Sequence, residues 1–119
     1  MIIDTSSIVF AMSNGTDVFG AIGRQKPDYA PAISLGIVRE LKGLKSKGGK
    51  YSGYAGAALG IIKDTGIEII PVDAPVDDWI YWEAVGKGYA VCTNDIRLKR
   101  RIKAAKAKVF SISRSGMLR

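Results

Sequence analysis

The chain has 119 residues, 47% of them hydrophobic, and 18 Lys and Arg against 11 Asp and Glu give it a formal net charge of +7. A lone Cys92 and the absence of histidine exclude an internal disulfide framework and the usual zinc sites. The length suits one hydrophobic core, the positive balance favours a polyanionic partner, and no apolar stretch reaches the roughly 20 residues that span a bilayer.

The opening Met1-Ile2-Ile3-Asp4-Thr5 meets an acid at once and lacks the basic start of a signal peptide, so a soluble cytoplasmic protein is expected. Ile2-Ile3 reads as a short buried strand running into polar capping residues, with a helix beginning near Ile8 and broken at Asn14-Gly15-Thr16. Asp17 caps a second helix through Gln25, which Pro27 prevents from continuing. Tyr29 to Ile33 reads as the second strand, although Pro31 is awkward inside one. From a Ser34 cap, Leu35, Ile37, Val38, Leu41 and Leu44 recur at helical spacing, and Lys45 to Gly53 reads as loop. A helix over Tyr54 to Asp64 stops at Gly66, and the β-branched run Ile67 to Val72 is the third strand. After a turn over Asp73 to Asp77 comes a helix over Trp79 to Val85, then a strand over Tyr89 to Cys92. Thr93-Asn94-Asp95 caps a basic helix reaching Lys106, and Val109 to Ile112 is the last strand. Strand alternating with helix predicts a mostly parallel central sheet covered on both faces, a three-layer α/β/α sandwich.

The acids fall at informative places. Asp4 follows the first strand, Asp77 and Asp78 the third, and Asp95 the fourth, so all are expected along the carboxyl edge of the sheet, where open α/β folds bind ligands. Glu40, three residues after Ile37 and four before Leu44, stands beside the buried stripe of its helix. Taken singly, Asp4, Asp78 and Asp95 read as helix caps and Glu40 as a solvated helix residue. Taken together, converging carboxylates repel one another unless protons or cations compensate, and Mg²⁺ or Mn²⁺ is the hard ion suited to such oxygens.

In Ile2-Ile3-Asp4-Thr5-Ser6, Val38-Arg39-Glu40-Leu41, Asp77-Asp78-Trp79-Ile80 and Val91-Cys92-Thr93-Asn94-Asp95 before a basic helix, the sequence resembles the PIN-domain family. The likeness runs through the whole chain, which reads as a single PIN-like domain over 1–119, and leans toward the archaeal and ribosome-processing branch. Pro31 near the second strand, bulky Trp79 and the lack of a further acid after Asp95 depart from the common pattern. The resemblance implies a Mg²⁺- or Mn²⁺-dependent ribonuclease, with Asp4, Glu40, Asp78 and Asp95 catalytic and metal-binding and Asp77 a further ligand. Of the adjacent pair, Asp78 is favoured because it directly precedes the helix's apolar run. Thr5, Ser6, Thr93 and Asn94 are expected to orient those carboxylates or a phosphate, local capping being the plainer role for Ser6 and Asn94.

Candidate RNA contacts are Arg97, Lys99, Arg100 and Arg101 on the last helix and Lys47 and Lys50 in a loop that also carries Tyr51 and Tyr54. Trp79 and Trp82 read as core or subunit-interface residues. The glycines after Gly43, and Gly86 with Gly88, fit neither a P-loop nor a dinucleotide fingerprint. The expected partner is RNA, single-stranded above all. An antitoxin protein, an RNA-processing complex and a second copy of the chain are open alternatives, and no membrane is expected. The rival function is a non-catalytic RNA-binding or assembly domain of the same fold. A receiver-like phosphorylation domain ranks lower, because the acid pair beside the first strand and the lysine after the last are both missing.

Overall fold

A computed structural model describes residues 1–119. The elements are β1 (Ile2–Ile3), α1 (Thr5–Ser13), α2 (Val18–Gln25), β2 (Ala32–Ser34), α3 (Leu35–Lys47), α4 (Ser52–Thr65), β3 (Glu68–Ile70), α5 (Val76–Lys87), β4 (Val91–Cys92), α6 (Ile96–Ala104) and β5 (Val109–Phe110). The strands form one sheet in the order β3-β2-β1-β4-β5, and every pairing is parallel. Right-handed crossovers put helices made while the chain moves toward β3 on one face, and those made after it turns back on the other. The contacts agree: α1 packs on α2, α3 and α4, while α5 packs on α6. This is the expected three-layer α/β/α arrangement.

The two central strands are short and wholly apolar because they are covered on both faces. Ile2, Ile3, Val91 and Cys92 are fully buried, joined in the core by Ile33, Ile37, Leu41, Ile80 and Ile102. The chain runs from β1 outward to β3, then crosses to β4 on the other side of β1. The strand order therefore reverses beside β1, and Asp4 is the first residue past that strand's carboxyl end. No helix is long and apolar enough to cross a membrane.

Several boundaries differ from those read in the sequence, each for a local reason. The first helix starts at Thr5, directly after β1, so Thr5 and Ser6 are helical and not a linker. The second strand begins after Pro31, which lies outside it. Most of the expected loop over Lys45 to Gly53 is helical: α3 continues to Lys47, its last-turn lysines lying where the helix dipole favours cations, and α4 begins at Ser52. The fifth helix starts at Val76 behind Pro75, which puts both Asp77 and Asp78 inside its first turn. The last strand ends at Phe110, and Ile112 bridges antiparallel to Leu118 in a closing hairpin. Ser34 caps α3 as expected, accepting from the Ile37 N–H at 3.2 Å, and Gly66 ends α4 in the left-handed region at φ 65°. Trp79 is buried, whereas Trp82 is 66% exposed.

One close approach fixes where the fifth helix begins relative to the third. Gly36, in the first turn of α3, is buried, and its N–H donates to Val72 O at 3.3 Å. A Cβ there would stand 2.9 Å from the carbonyl oxygen of Ala74 and 3.3 Å from Val76 Cγ2. Gly43, about two turns further along the same helix, has nothing within 4 Å of such a Cβ. Alanine in a helix interior ordinarily gains about 0.5–1 kcal/mol over glycine. Gly43→Ala should show that gain in chemical denaturation. Gly36→Ala should instead lose about 1–3 kcal/mol, because backbone must move to admit the methyl group. Equal effects at the two positions would show that the α3–α5 approach is not tight.

Candidate metal and nucleic-acid site

Asp4 is the most enclosed acid, 4% exposed. One carboxylate oxygen, Oδ2, accepts from Ser6 Oγ at 2.6 Å and from Thr93 Oγ1 at 2.7 Å. These donors come from opposite sides of the strand-order reversal, one from α1 and one from just after β4. They are cross-linked in turn: the two hydroxyls lie 3.2 Å apart, Asn94 N–H donates to Ser6 Oγ at 3.0 Å, and Asp95 N–H donates to Thr93 Oγ1 at 3.1 Å. Asp4 Oδ1 has no hydrogen-bond partner within the protein.

An open pocket of about 600 Å³ lies above this point, lined by Asp4, Glu40, Asp77 and Asp95 together with Thr5, Ser6 and Lys47. Glu40, Gly43, Leu44 and Lys47 reach it from one face of α3, at the i, i+3, i+4, i+7 spacing of a helical stripe. Thr5 Oγ1 donates to Glu40 Oε1 at 2.6 Å, tying the first helix to the third across the pocket. Asp95 divides its work: its Oδ1 caps α6, accepting from Arg97 N–H at 2.9 Å and Leu98 N–H at 3.2 Å, and the residue still lines the pocket.

The electrostatics register the crowding. Partial burial raises the Glu40 carboxyl above its ordinary pKa; the Thr5 hydroxyl opposes the shift, and the charges of Asp4 and Asp77 add to it. Asp77 is likewise raised, first by partial burial and then by Asp4, Asp95 and Asp78, with Arg101 opposing. Carboxylates from four distant stretches of the chain therefore act on one another.

Of the adjacent pair, Asp77 lines the pocket and Asp78, the residue favoured in the sequence, does not. Because α5 begins at Val76, the two residues stand about 100° apart on the helix. Asp78 instead binds Arg101 Nη1 at 3.0 Å, and that guanidinium lies 4.2 Å over the Tyr81 ring. Asn94 is a staple and not a pocket ligand: its side chain accepts from Ser7 Oγ at 2.7 Å and Ile112 N–H at 3.1 Å and donates to Ile112 O at 2.8 Å. Ser6 bridges Asp4 and Asn94 where a plain cap was the simpler reading.

The basic residues divide. Lys47 lines the acidic pocket, and Arg97 and Arg101 line an adjoining depression with Asp77 and Asp95. Lys50 stands over the Tyr51 ring at 5.6 Å, Lys99 is tied to Ser111 Oγ at 2.7 Å, and Arg100 is exposed. A neighbouring groove lined by Val9, Phe10, Ser13 and Tyr51 was not anticipated in the sequence. Its signal was present there, since Ser6, Val9, Phe10 and Ser13 fall at helical spacing on one face of α1.

A family model described as PIN like domain matches residues 1–114. The chain belongs to that family. Ten solved chains match this PIN-like domain. Among them is the structure of the PIN domain endonuclease Utp24, with a TM-score of 0.79, 28% sequence identity, and coverage of 98% of this chain and 88% of that one. No curated protein sequence matches it. The fold is thus shared with a solved endonuclease.

The donor set suits a hard divalent cation: all oxygen, no sulfur or imidazole, and with carboxyls whose mutual repulsion a cation would relieve. No three acids converge tightly enough to enclose an ion as they stand. Repulsion of this kind has a measurable sign. Raised carboxyl pKa values favour folding at low pH, and that contribution fades as pH rises through and above the usual carboxylate range. In chelator at neutral pH, Asp77→Asn should therefore melt at a higher temperature than the parent protein, with the gap closing on acidification. A gap that is absent at neutral pH, or that widens toward acid, contradicts the crowding.

Proposed function

We propose that this PIN-like domain is a Mg²⁺- or Mn²⁺-dependent endoribonuclease. The single observation that carries the reading is that Asp4, Glu40, Asp77 and Asp95, from four separate stretches, line one pocket in a protein of net charge +7. The likeness to a PIN domain endonuclease supports it.

Asp4, Glu40, Asp77 and Asp95 would hold the cation, directly or through water. Bound there, a divalent ion supplies an activated water and offsets the charge that builds on a scissile phosphate. Asp4 would be the most firmly held ligand, since two hydroxyls fix its carboxylate through Oδ2 while Oδ1 has no partner in the protein. Glu40 is the group suited to receive a proton: Thr5 holds Oε1, Oε2 has no partner in the protein, and partial burial raises its carboxyl above the ordinary value. Lys47 at the pocket and Arg97 beside it draw in the phosphate chain, whose passage past four carboxylates would otherwise be repelled.

Single-stranded RNA incubated with Mn²⁺ or Mg²⁺ should be cut, and both chelator and Asp4→Asn should abolish cutting. Asp77→Asn should lower the rate by roughly 10²-fold or more, whereas Asp78→Asn, which removes only an exposed ion pair with Arg101, should stay within about threefold of the parent. Cutting that survives both chelator and Asp4→Asn rejects the metal mechanism. RNA binding with no cutting under any metal returns the protein to the class of binding domains with a PIN fold.

A further inference from the structure

Beside the acidic pocket runs a second groove of about 440 Å³, whose character is different. Its walls are Val9 and Phe10 from α1, Leu44 from α3 and Tyr51 at the start of α4. Thr5, Ser6 and Leu44 line both cavities, so the groove opens directly off the carboxylates. Tyr51 is 45% exposed and Phe10 half-buried, leaving aromatic surface uncovered next to the most strongly charged place on the molecule.

We propose that this groove is a nucleobase subsite, taking one unstacked base of a single-stranded RNA whose phosphate lies at the carboxylates. The inference rests on the ribonuclease reading and adds the shape of the substrate to it. Three observations choose this occupant over any other apolar group. The groove is continuous with the proposed phosphate site, and a base is the apolar, flat body that hangs from every phosphate. Cations stand nearby, Lys47 in the adjoining acidic pocket and Lys50 at 5.6 Å from the Tyr51 ring centre, where each can meet a phosphate of the strand. Most polar side chains at the groove are already engaged: Ser13 Oγ donates to Phe10 O at 2.8 Å, and the Asn94 amide is committed to Ile112 and Ser7, which leaves the Tyr51 hydroxyl as the unengaged polar group. A site with aromatic faces and a single free hydroxyl grips mainly the flat face common to all four bases, and Tyr51→Phe separates the ring's contribution from the hydroxyl's. A base inside a duplex cannot enter, so the groove selects single strands.

The test uses the full chain in chelator, where no cutting occurs, with short single-stranded RNAs carrying 2-aminopurine at each position in turn. At one position binding should change the fluorescence. Tyr51→Ala should weaken binding there roughly 5- to 150-fold while Tyr51→Phe stays within about twofold, the loss of one stacked base. Exchanging the natural base at that position should alter affinity little, and the same strand in a duplex should give no signal. Circular dichroism checks that Tyr51→Ala is folded; if it is not, Val9→Gln, which fills the groove from α1 with neutral polar bulk and leaves the net charge unchanged, takes its place with the same expected loss. Equal binding by the parent and the folded groove variant, or no fluorescence change at any position, overturns the subsite. A groove-dependent signal without metal-dependent cutting would reject the nuclease and leave the base subsite standing. Cutting without groove dependence would do the reverse.

Discussion

Asp4 sits where the fold has least room for a charge, at the carboxyl end of the central strand and almost out of reach of water. A carboxylate so placed is tolerable only if donors replace the solvent it has lost. Ser6 and Thr93 do so from the two sides of the strand-order reversal, each at a distance typical of charge-assisted bonds. Their own partners are backbone N–H groups of Asn94 and Asp95, so the link that satisfies Asp4 also sets the start of the sixth helix. The other acids can then be held more loosely. Glu40 leans on Thr5, Asp95 on its own helix N-terminus, and Asp77 on nothing but its position in α5. Hydrogen-bonded support thins outward from the central strand, from Asp4 with two hydroxyls to Asp77 with none.

Charge is distributed to the same end. A protein with seven excess positive charges gathers four of its eleven acids in one pocket and edges that pocket with Lys47, Arg97 and Arg101. The basic exterior raises the local concentration of a polyanion, and the acidic interior gives a cation a reason to be there. Neither feature alone would indicate chemistry. Their juxtaposition is what the proposed reading rests on, because an acidic pocket without a cation would repel a polyanion drawn to the basic surface.

Much of this was legible in the sequence, and the reasons are physical. Alternating strand and helix fixed the layers, because short apolar runs joined by helices have few other solutions. The acids after the first and fourth strands were legible because strand ends in a parallel sheet share an edge. The choice between Asp77 and Asp78 was not, since it turns on where a helix begins, and a shift of one residue rotates a side chain by about 100°. Pro75 was the available clue, a residue favoured at helix starts that argued for an onset at Val76 and not later. The end of α3 was not legible either: Lys45 to Lys47 stand in a stretch that reads as loop, yet the helix runs through them and Lys47 completes the stripe that begins at Glu40 and reaches the pocket.

Asn94 shows why a residue inside a functional motif need not touch anything that reacts. It stands between Thr93 and Asp95, which both serve the pocket, but its amide joins Ser7 of α1 to both backbone groups of Ile112. Ile112 begins the hairpin that closes on Leu118, and the far side of that hairpin is gripped by Gln25 through Gly116 O at 2.7 Å and Leu118 N–H at 2.8 Å. The C-terminal segment thus fastens the first two helices to the strand that carries Thr93. Loosening it would not remove a ligand; it would let Ser6 and Thr93 drift apart, and Asp4 would lose one of the two hydroxyls that make its burial tolerable. The pocket is therefore maintained from a hairpin that contributes no atom to it.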